Sequence, residues 1–299
     1  MRRRLACAVA LLLLGAGAPA RAGDCHNGTQ ASDVCGTSAL LVVRTPQMFR
    51  DVDLYVPPRL PVLSPVPLVI ALPGLYLDPP SVEQSSGFDR FADSHGVAVA
   101  YPWGYQSSWN AGTCCGDSAA SGIDDVGFLA QVVDTVATLR PIDRDRVYVA
   151  GFSNGGMLAL RAACERPDVF AAAAAMSGTL EAPCAGPTPV SALVVSGGTD
   201  GTVPYAGSRY SSFLHTALTP VPTTVAILAA RDGCTRSSRH VGRPYTTRTF
   251  TGCRGGSAVE LVVAPRLGHA WPTLAADGFD GGELAWQFLS AHTRVPQAS

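Results

Sequence analysis

None of the 299 residues is lysine; all 22 basic side chains are arginines. Charged residues make up only 15% of the chain, and no basic run follows the N-terminal segment. Nucleic acid and anionic membrane surfaces are therefore not expected as partners. Also missing are a C-x-x-C pair and two histidines at ligand spacing, so no metal and no cofactor is expected. The one long apolar run, from Leu5 to about Ala18, falls short of the roughly 20 residues that a bilayer-spanning helix needs. There are no internal repeats and no Ser/Thr/Gly-rich linker, so nothing marks a second domain.

What the N-terminus does carry is the pattern of an export signal. Arg2, Arg3 and Arg4 form a basic start, the apolar run follows, and Ala20-Arg21-Ala22 fits a small-x-small cleavage site. The reading is a signal peptide over 1–22 and a single domain over 23–299, secreted or periplasmic. Cleavage removes Arg2, Arg3, Arg4 and Arg21 and no acid, which leaves the mature chain net acidic. It also removes Cys7, one of nine cysteines, and leaves an even number in an oxidising compartment. The simplest pairing joins sequence neighbours: Cys25 with Cys35, Cys164 with Cys184, and Cys234 with Cys253. The pairing of Cys114 and Cys115 stays open. "NGT" at Asn27 fits a glycosylation acceptor.

Short apolar runs of strand type alternate with helical ones. Strands are predicted at "LLVV" (Leu40), "VDLYVP" (Val52), "LVIALPG" (Leu68), "VAVAYP" (Val97), "VYVAG" (Val147), "FAAAAAMSG" (Phe170), "ALVVSGG" (Ala192) and "VELVVAP" (Val259). Several are apolar throughout, as strands of a parallel sheet covered on both faces should be. Helices are predicted from Ile123 to Arg140, through Phe88 and Phe91 to a Gly96 cap, from Gly156 to Glu165, and from Leu284 to Ala291. "VAILAARDGC" reads as strand or helix, with Gly233 favouring a helix end. The alternation predicts a mostly parallel α/β sheet flanked by helices.

Where "RVYVAG" gives way to "GGMLAL", a serine stands between glycines: Gly151-Phe152-Ser153-Asn154-Gly155. This is the G-x-S-x-G pattern with the strand before and helix after that it requires. A nucleophile on such a strained turn has no room for side chains two positions away, which explains Gly151 and Gly155. The N–H of Asn154 then opens a helix and can donate to an oxyanion. A serine hydroxyl needs a base, and in this arrangement acid and histidine follow it along the chain. Of His215, His240, His269 and His292, only His269 lies directly after a strand, in "RLGHAWP". His215 reads as mid-helix, while His240 and His292 read as surface residues. Among Asp168, Asp200 and Asp232, Asp200 follows the strand "ALVVSGG" at the edge where Ser153 sits. Asp168 follows the nucleophile's own helix, and Asp232 follows a helical segment. A second oxyanion donor is expected from the N–H of Leu75, after Gly74 in "LVIALPGLYLDP".

The blocks "WNAGTCCGDSAASGIDDVGFLAQVVD", "RVYVAGFSNGGM", "CERPDVFAAAAAMSG", "TDGTVPYAG" and "LGHAWP" together resemble the polyhydroxybutyrate depolymerase-like esterases. That group is close to the feruloyl and acetylxylan esterases of carbohydrate esterase family one. The resemblance spans nearly the whole mature chain. It implies an α/β-hydrolase fold, a secreted serine esterase, and the roles of nucleophile, acid and base for Ser153, Asp200 and His269. It further implies that Trp109 and Trp271 are pocket walls. The family's usual Leu-His-Gly is here Leu72-Pro73-Gly74; proline removes an amide at position 73 but not the one at Leu75.

The expected function is hydrolysis of short 3-hydroxyalkanoate esters or oligomers. The alternative within the class is a feruloyl or acetylxylan esterase acting on plant polysaccharide esters. A peptidase related to the prolyl oligopeptidases would need a large extra domain for which the chain lacks length. A catalytically silent binding relative would have no need of three filled triad positions.

Overall fold

The computed structural model describes residues 36–60 and 63–295. The segment read as a signal peptide, the Cys25–Cys35 pair and Asn27 lie outside the described residues. In chain order the first elements are β1 (Thr37–Arg44), β2 (Phe49–Val56), β3 (Val66–Leu72), α1 (Pro79–Ser86), α2 (Phe88–His95) and β4 (Ala98–Pro102). They are followed by α3 (Gly116–Ala120), α4 (Asp125–Leu139), β5 (Ile142–Phe152), α5 (Asn154–Glu165), β6 (Ala172–Met176) and β7 (Ser191–Gly197). The last part holds β8 (Ser208–Ser211), β9 (Thr216–Leu218), α6 (Val221–Arg231), β10 (Arg236–Val241), β11 (Thr246–Thr251), β12 (Val259–Ala264), α7 (Leu274–Asp277) and α8 (Gly281–Ser290).

Ten strands form one sheet in the order β1-β2-β4-β3-β5-β6-β7-β12-β11-β10. From β4 through β3, β5, β6 and β7 to β12 every neighbour is parallel. An antiparallel hairpin finishes each side, β1–β2 at one and β10–β11 at the other. The uninterrupted apolar strands are covered on both faces. In β3, Leu68, Ile70 and Leu72 join one core and Val69 and Ala71 the other. β5 divides likewise, with Val147 and Val149 on one side and Tyr148 and Ala150 on the other. This is the mostly parallel sheet flanked by helices that the sequence predicts.

Each of the eight predicted strand segments contributes to a strand. The ambiguous "VAILAARDGC" is resolved as the end of α6, with Gly233 at φ 66 just beyond it. Gly96 caps α2 at φ 69, and Asp124 caps α4 by accepting from the N–H of Gly127 at 2.8 Å. The sequence reading misses β10 and β11, because "RSSRHV" and "TTRTFT" have neither an apolar run nor apolar alternation. All six residues of β10 are exposed, Arg236 and Arg239 among them. His215 also differs: it is not mid-helix but sits at φ 56 in the turn between β8 and β9.

Cysteine pairing matches the neighbour rule where it can be seen. Cys164 pairs with Cys184, and Cys234 pairs with Cys253 across the open end of the β10–β11 hairpin. Cys114 and Cys115 pair with each other. Among the described residues, no helix is long and apolar enough to cross a membrane, and no cluster of His, Cys, Asp or Glu is placed to hold a metal ion.

Candidate active site

Strand β5 ends at Phe152 and α5 begins at Asn154, so Ser153 makes the whole turn, at φ 53 and ψ −121. A non-glycine residue held there stores about 1–3 kcal/mol, which the surroundings must offset. They do so by hydrogen bonding. The Ser153 N–H donates to the Met176 carbonyl at 2.8 Å, and its own carbonyl accepts from the Met157 N–H at 2.9 Å. Both predicted glycines are sterically required: a Cβ at Gly151 would overlap the Gly155 carbonyl, and one at Gly155 would overlap the carbonyls of Leu72 and Pro73. Gly156 brings α5 close to the alanine-rich β6, where a Cβ would lie 3.3 Å from Ala175.

Two later loops reach the same sheet edge. Asp200 follows β7 and His269 follows β12, and these strands are parallel neighbours. The loops are tied together by Thr199, whose Oγ1 and N–H both donate to the Leu267 carbonyl, at 2.9 and 3.1 Å. The His269 Nδ1–H donates to Asp200 Oδ2 at 2.8 Å, and His269 Nε2 lies 3.0 Å from Ser153 Oγ. The other Asp200 oxygen accepts from the N–H groups of Thr202 and Val203 at 2.9 and 2.8 Å. Burial works against the Asp200 charge, but hydrogen bonds from His269, Val203 and Thr202 outweigh it and hold the carboxyl below its ordinary range. The Phe152 ring packs at 4.8 Å against that of His269.

The other candidates lie elsewhere. Asp168 pairs with Arg166, and Asp232 accepts from Ser257 Oγ at 2.8 Å under the C-terminal end of α6. His240 is exposed on β10. His292 is not a free surface residue, since its ring is half-buried against Phe288 and its Nδ1–H donates to the Phe288 carbonyl at 2.8 Å.

Leu75 follows Gly74 beside the serine turn, and Asn154 follows the serine itself. Asn154 contributes the first N–H of α5, which no intrahelical carbonyl can satisfy. Gly74 approaches so closely that a Cβ there would stand 3.4 Å from the Ser153 Cβ. The Gly74–Leu77 turn uses the Leu77 N–H, and the Tyr76 N–H donates to the Ser107 carbonyl, while the Leu75 N–H takes part in neither bond.

The tryptophans require a correction. Trp109 is fully buried, and Trp271 is buried edge-on to Phe88 at 5.8 Å, so neither offers surface to a ligand as a pocket wall must. Trp109 is a brace instead. Its backbone N–H donates to Asn154 Oδ1 at 2.8 Å, its carbonyl accepts from Asn154 Nδ2 at 3.0 Å, and its indole N–H donates to the Pro73 carbonyl at 2.9 Å. One carboxamide and one indole thus fix the serine turn, the 103–115 loop and the Leu72-Pro73-Gly74 segment to one another. Beneath this loop, buried Asp125 pairs with Arg50 and accepts from the Asn110 N–H at 2.7 Å. The sequence reading missed both devices; their partners are distant in the chain, and Asp125 resembles an ordinary first-turn acid.

The fold, the strained turn and the Ser-His-Asp contacts now meet an independent finding. Residues 51–200 match the family model described as "Esterase PHB depolymerase". The chain belongs to that family. The match includes Ser153 and ends at Asp200; the fold supplies His269. The esterase is 33% identical to "Putative esterase NocK" of Nocardia uniformis subsp. tsuyamanensis over 75% of this chain and 71% of the relative. It is 28% identical to "Feruloyl esterase B" of Piromyces equi over 69% of this chain, spanning only 38% of that longer protein. Among solved structures, an acetyl xylan esterase from Aspergillus awamori superposes with a TM-score of 0.58, 15% identity, and coverage of 83% of this chain and 100% of that one. That likeness concerns the fold, which is the α/β-hydrolase fold. The protein is a serine esterase.

Proposed function

We propose that this esterase hydrolyses carboxylic esters through Ser153, His269 and Asp200. The observation that carries the reading is one imidazole bonded on both sides, to Ser153 Oγ at 3.0 Å and to Asp200 at 2.8 Å. The ester carbonyl oxygen enters between the N–H groups of Leu75 and Asn154. Ser153 Oγ attacks the carbonyl carbon as its proton passes to His269 Nε2, and the oxyanion accepts from the two N–H groups. His269 then protonates the departing alkoxide, leaving an acyl-serine. Water adds to it by the same steps in reverse order of partners and releases the acid. Asp200 remains a carboxylate, fixing the tautomer and stabilising the imidazolium without taking the proton. In this reading residues 1–22 direct export and 23–299 form one catalytic domain.

Short 3-hydroxyalkanoate esters are one substrate class for this machinery. Hydroxycinnamoyl esters of polysaccharide are the other, and exposed aromatic rings of Tyr76 and Phe213 beside the oxyanion loop favour them. Hydrolysis of p-nitrophenyl butyrate by the purified protein, with and without Ser153→Ala, tests the chemistry. Activity that persists in the variant, or a fluorophosphonate probe that leaves Ser153 unlabelled, overturns it. Ferulate release from a methyl ester against cleavage of 3-hydroxybutyrate oligomers separates the substrate classes.

A further inference from the structure

The hairpin that ends one side of the sheet carries charge of a single sign. From Cys234 to Ala258 the chain holds Arg236, Arg239, Arg243, Arg248 and Arg254 and no aspartate or glutamate, in a protein that is net acidic as a whole. Eight arginines elsewhere are ion-paired with an aspartate or glutamate, whereas among the described residues none of these five is. Arg254 donates to the Arg231 carbonyl. Arg236, Arg239, Arg243 and Arg248 are exposed. The Cys234–Cys253 disulfide closes the base of the hairpin and ties the segment into one unit.

Stability alone does not favour this arrangement. Arg239 stands directly opposite Arg248 in the β10–β11 register, so both side chains leave one face from backbones about 5 Å apart. Like charges placed so destabilise a sheet. Arg248 is also steadied, because its guanidinium lies over the Phe250 ring at 4.7 Å, which restricts where its N–H donors point. Hydroxyls stand between the arginines. Those of Ser237, Ser238, Thr247 and Thr251 make no hydrogen bond among the described residues, and Ser237, Ser238 and Thr251 are exposed. The first residue of β11, Thr246, pairs with Val263, close to where β12 hands over to the loop bearing His269. The hairpin tip with Arg243 therefore lies at the catalytic edge of the sheet.

We propose that the β10–β11 hairpin is a docking strip for an extended, carboxylate-bearing polysaccharide, separate from the ester site. The paired guanidiniums of Arg239 and Arg248 clamp one uronate carboxylate, whose two oxygens match their N–H donors. Arg236 leaves the other face of the same outer strand, about 10 Å along it, and Arg243 stands in the tip. Their long side chains serve carboxylates on further rings, and the serine and threonine hydroxyls bond to sugar hydroxyls. A chain with one charge per ring suits this strip better than a phosphate polymer or an anionic membrane. Those present dense charge over a broad front, and within a screening length of about 8–10 Å they also meet the acidic remainder of the molecule. One end of a bound chain lies at the edge where the catalytic loops emerge.

Affinity electrophoresis of the whole protein tests the strip, in gels with polygalacturonate, with neutral dextran or with no polymer. The variants are Arg239→Thr with Arg248→Thr, Arg239→Lys with Arg248→Lys, and the control Arg144→Thr with Arg146→Thr, which removes equal charge from β5. The expected result is retardation of the wild type by polygalacturonate alone, weakening as salt rises. The threonine pair should weaken binding by about three- to tenfold, the size of two exposed ion pairs, while the lysine pair loses less and the control stays at wild type. The threonine pair should melt at or above the wild-type temperature, since it relieves an opposed like-charge pair. Hydrolysis of p-nitrophenyl butyrate should be unchanged in every variant, so docking is read independently of the ester chemistry. Undiminished retardation of the threonine pair overturns the proposal, as does an equal loss in the control or equal retardation by dextran. So does a threonine pair that melts well below wild type, which would assign the arginines to the fold. Tighter binding to duplex DNA or to phosphatidylserine-containing vesicles than to polygalacturonate overturns it as well.

Discussion

Replacing Asn154 with alanine removes a side chain that touches no substrate, yet it should damage both stability and rate. Its carboxamide satisfies the N–H and the carbonyl of fully buried Trp109 at 2.8 and 3.0 Å. Without it, the buried Trp109 N–H loses its partner, at about 1–3 kcal/mol, while the Trp109 carbonyl loses one of two donors and keeps the Cys115 N–H at 3.2 Å. For a domain of this size that corresponds to a drop of about 3–9 °C in melting temperature. The rate should fall too, because Trp109 also holds Pro73 and through it the loop bearing Leu75. A displaced oxyanion donor is expected to lower kcat by at least about tenfold with little change in KM. Asn154→Asp sharpens the test: it keeps an acceptor for the Trp109 N–H but sets carboxylate oxygen against the Trp109 carbonyl and negative charge beside the oxyanion. It should lose more activity than the alanine variant for the same loss of stability. Calorimetry with steady-state kinetics on a p-nitrophenyl ester measures both quantities. An alanine variant melting within about 2 °C of wild type, with kcat within about twofold, would refute the bracing role.

Burial, with Glu83 beside it, pushes the Asp89 carboxyl up to about 8 despite a hydrogen bond from Tyr101. An acid whose pKa is raised on folding stabilises the fold at low pH and loses that contribution as pH climbs toward the folded value. Asp89→Asn should therefore raise the melting temperature relative to wild type more at about pH 9 than at about pH 4, as a fluorimetric melt at the two values reports. Arg50→Ala strands buried Asp125 and should cost about 3–5 kcal/mol, read from urea denaturation. Gly155→Ala drives a Cβ into the Leu72 and Pro73 carbonyls and should abolish esterase activity, measured on soluble protein after a far-ultraviolet circular dichroism check. Asp200→Asn should leave the fold intact and lower kcat by a factor on the order of 10⁴, followed by stopped assays on the same ester.

Legibility in the sequence followed the physics of burial. Strands such as "LVIALPG" and "ALVVSGG" are apolar on both faces, and that alone identified most of the sheet. Ser153, Asp200 and His269 could be read because each directly follows such a strand, and parallel strands deliver their C-terminal ends to one edge. The β10–β11 hairpin could not be read, because strands of Arg, Ser and Thr, exposed in β10 and largely half-buried in β11, carry no apolar signal. Trp109 resembles a pocket aromatic on paper. Only the fold reveals that Asn154, 45 positions later, grips its backbone. His215 sits among leucine and alanine as a helical residue would, and the positive φ that places it in a turn leaves no local mark.

The outer strand β10 leaves one row of backbone N–H and carbonyl groups without a neighbouring strand among the described residues, the usual starting point for chain-to-chain stacking. Arg236 and Arg239 line that rim. A second copy approaching rim to rim would press guanidinium against guanidinium with no carboxylate between them on the strand. The sheet thus ends in a like-charged border that opposes fibre growth wherever the protein becomes concentrated.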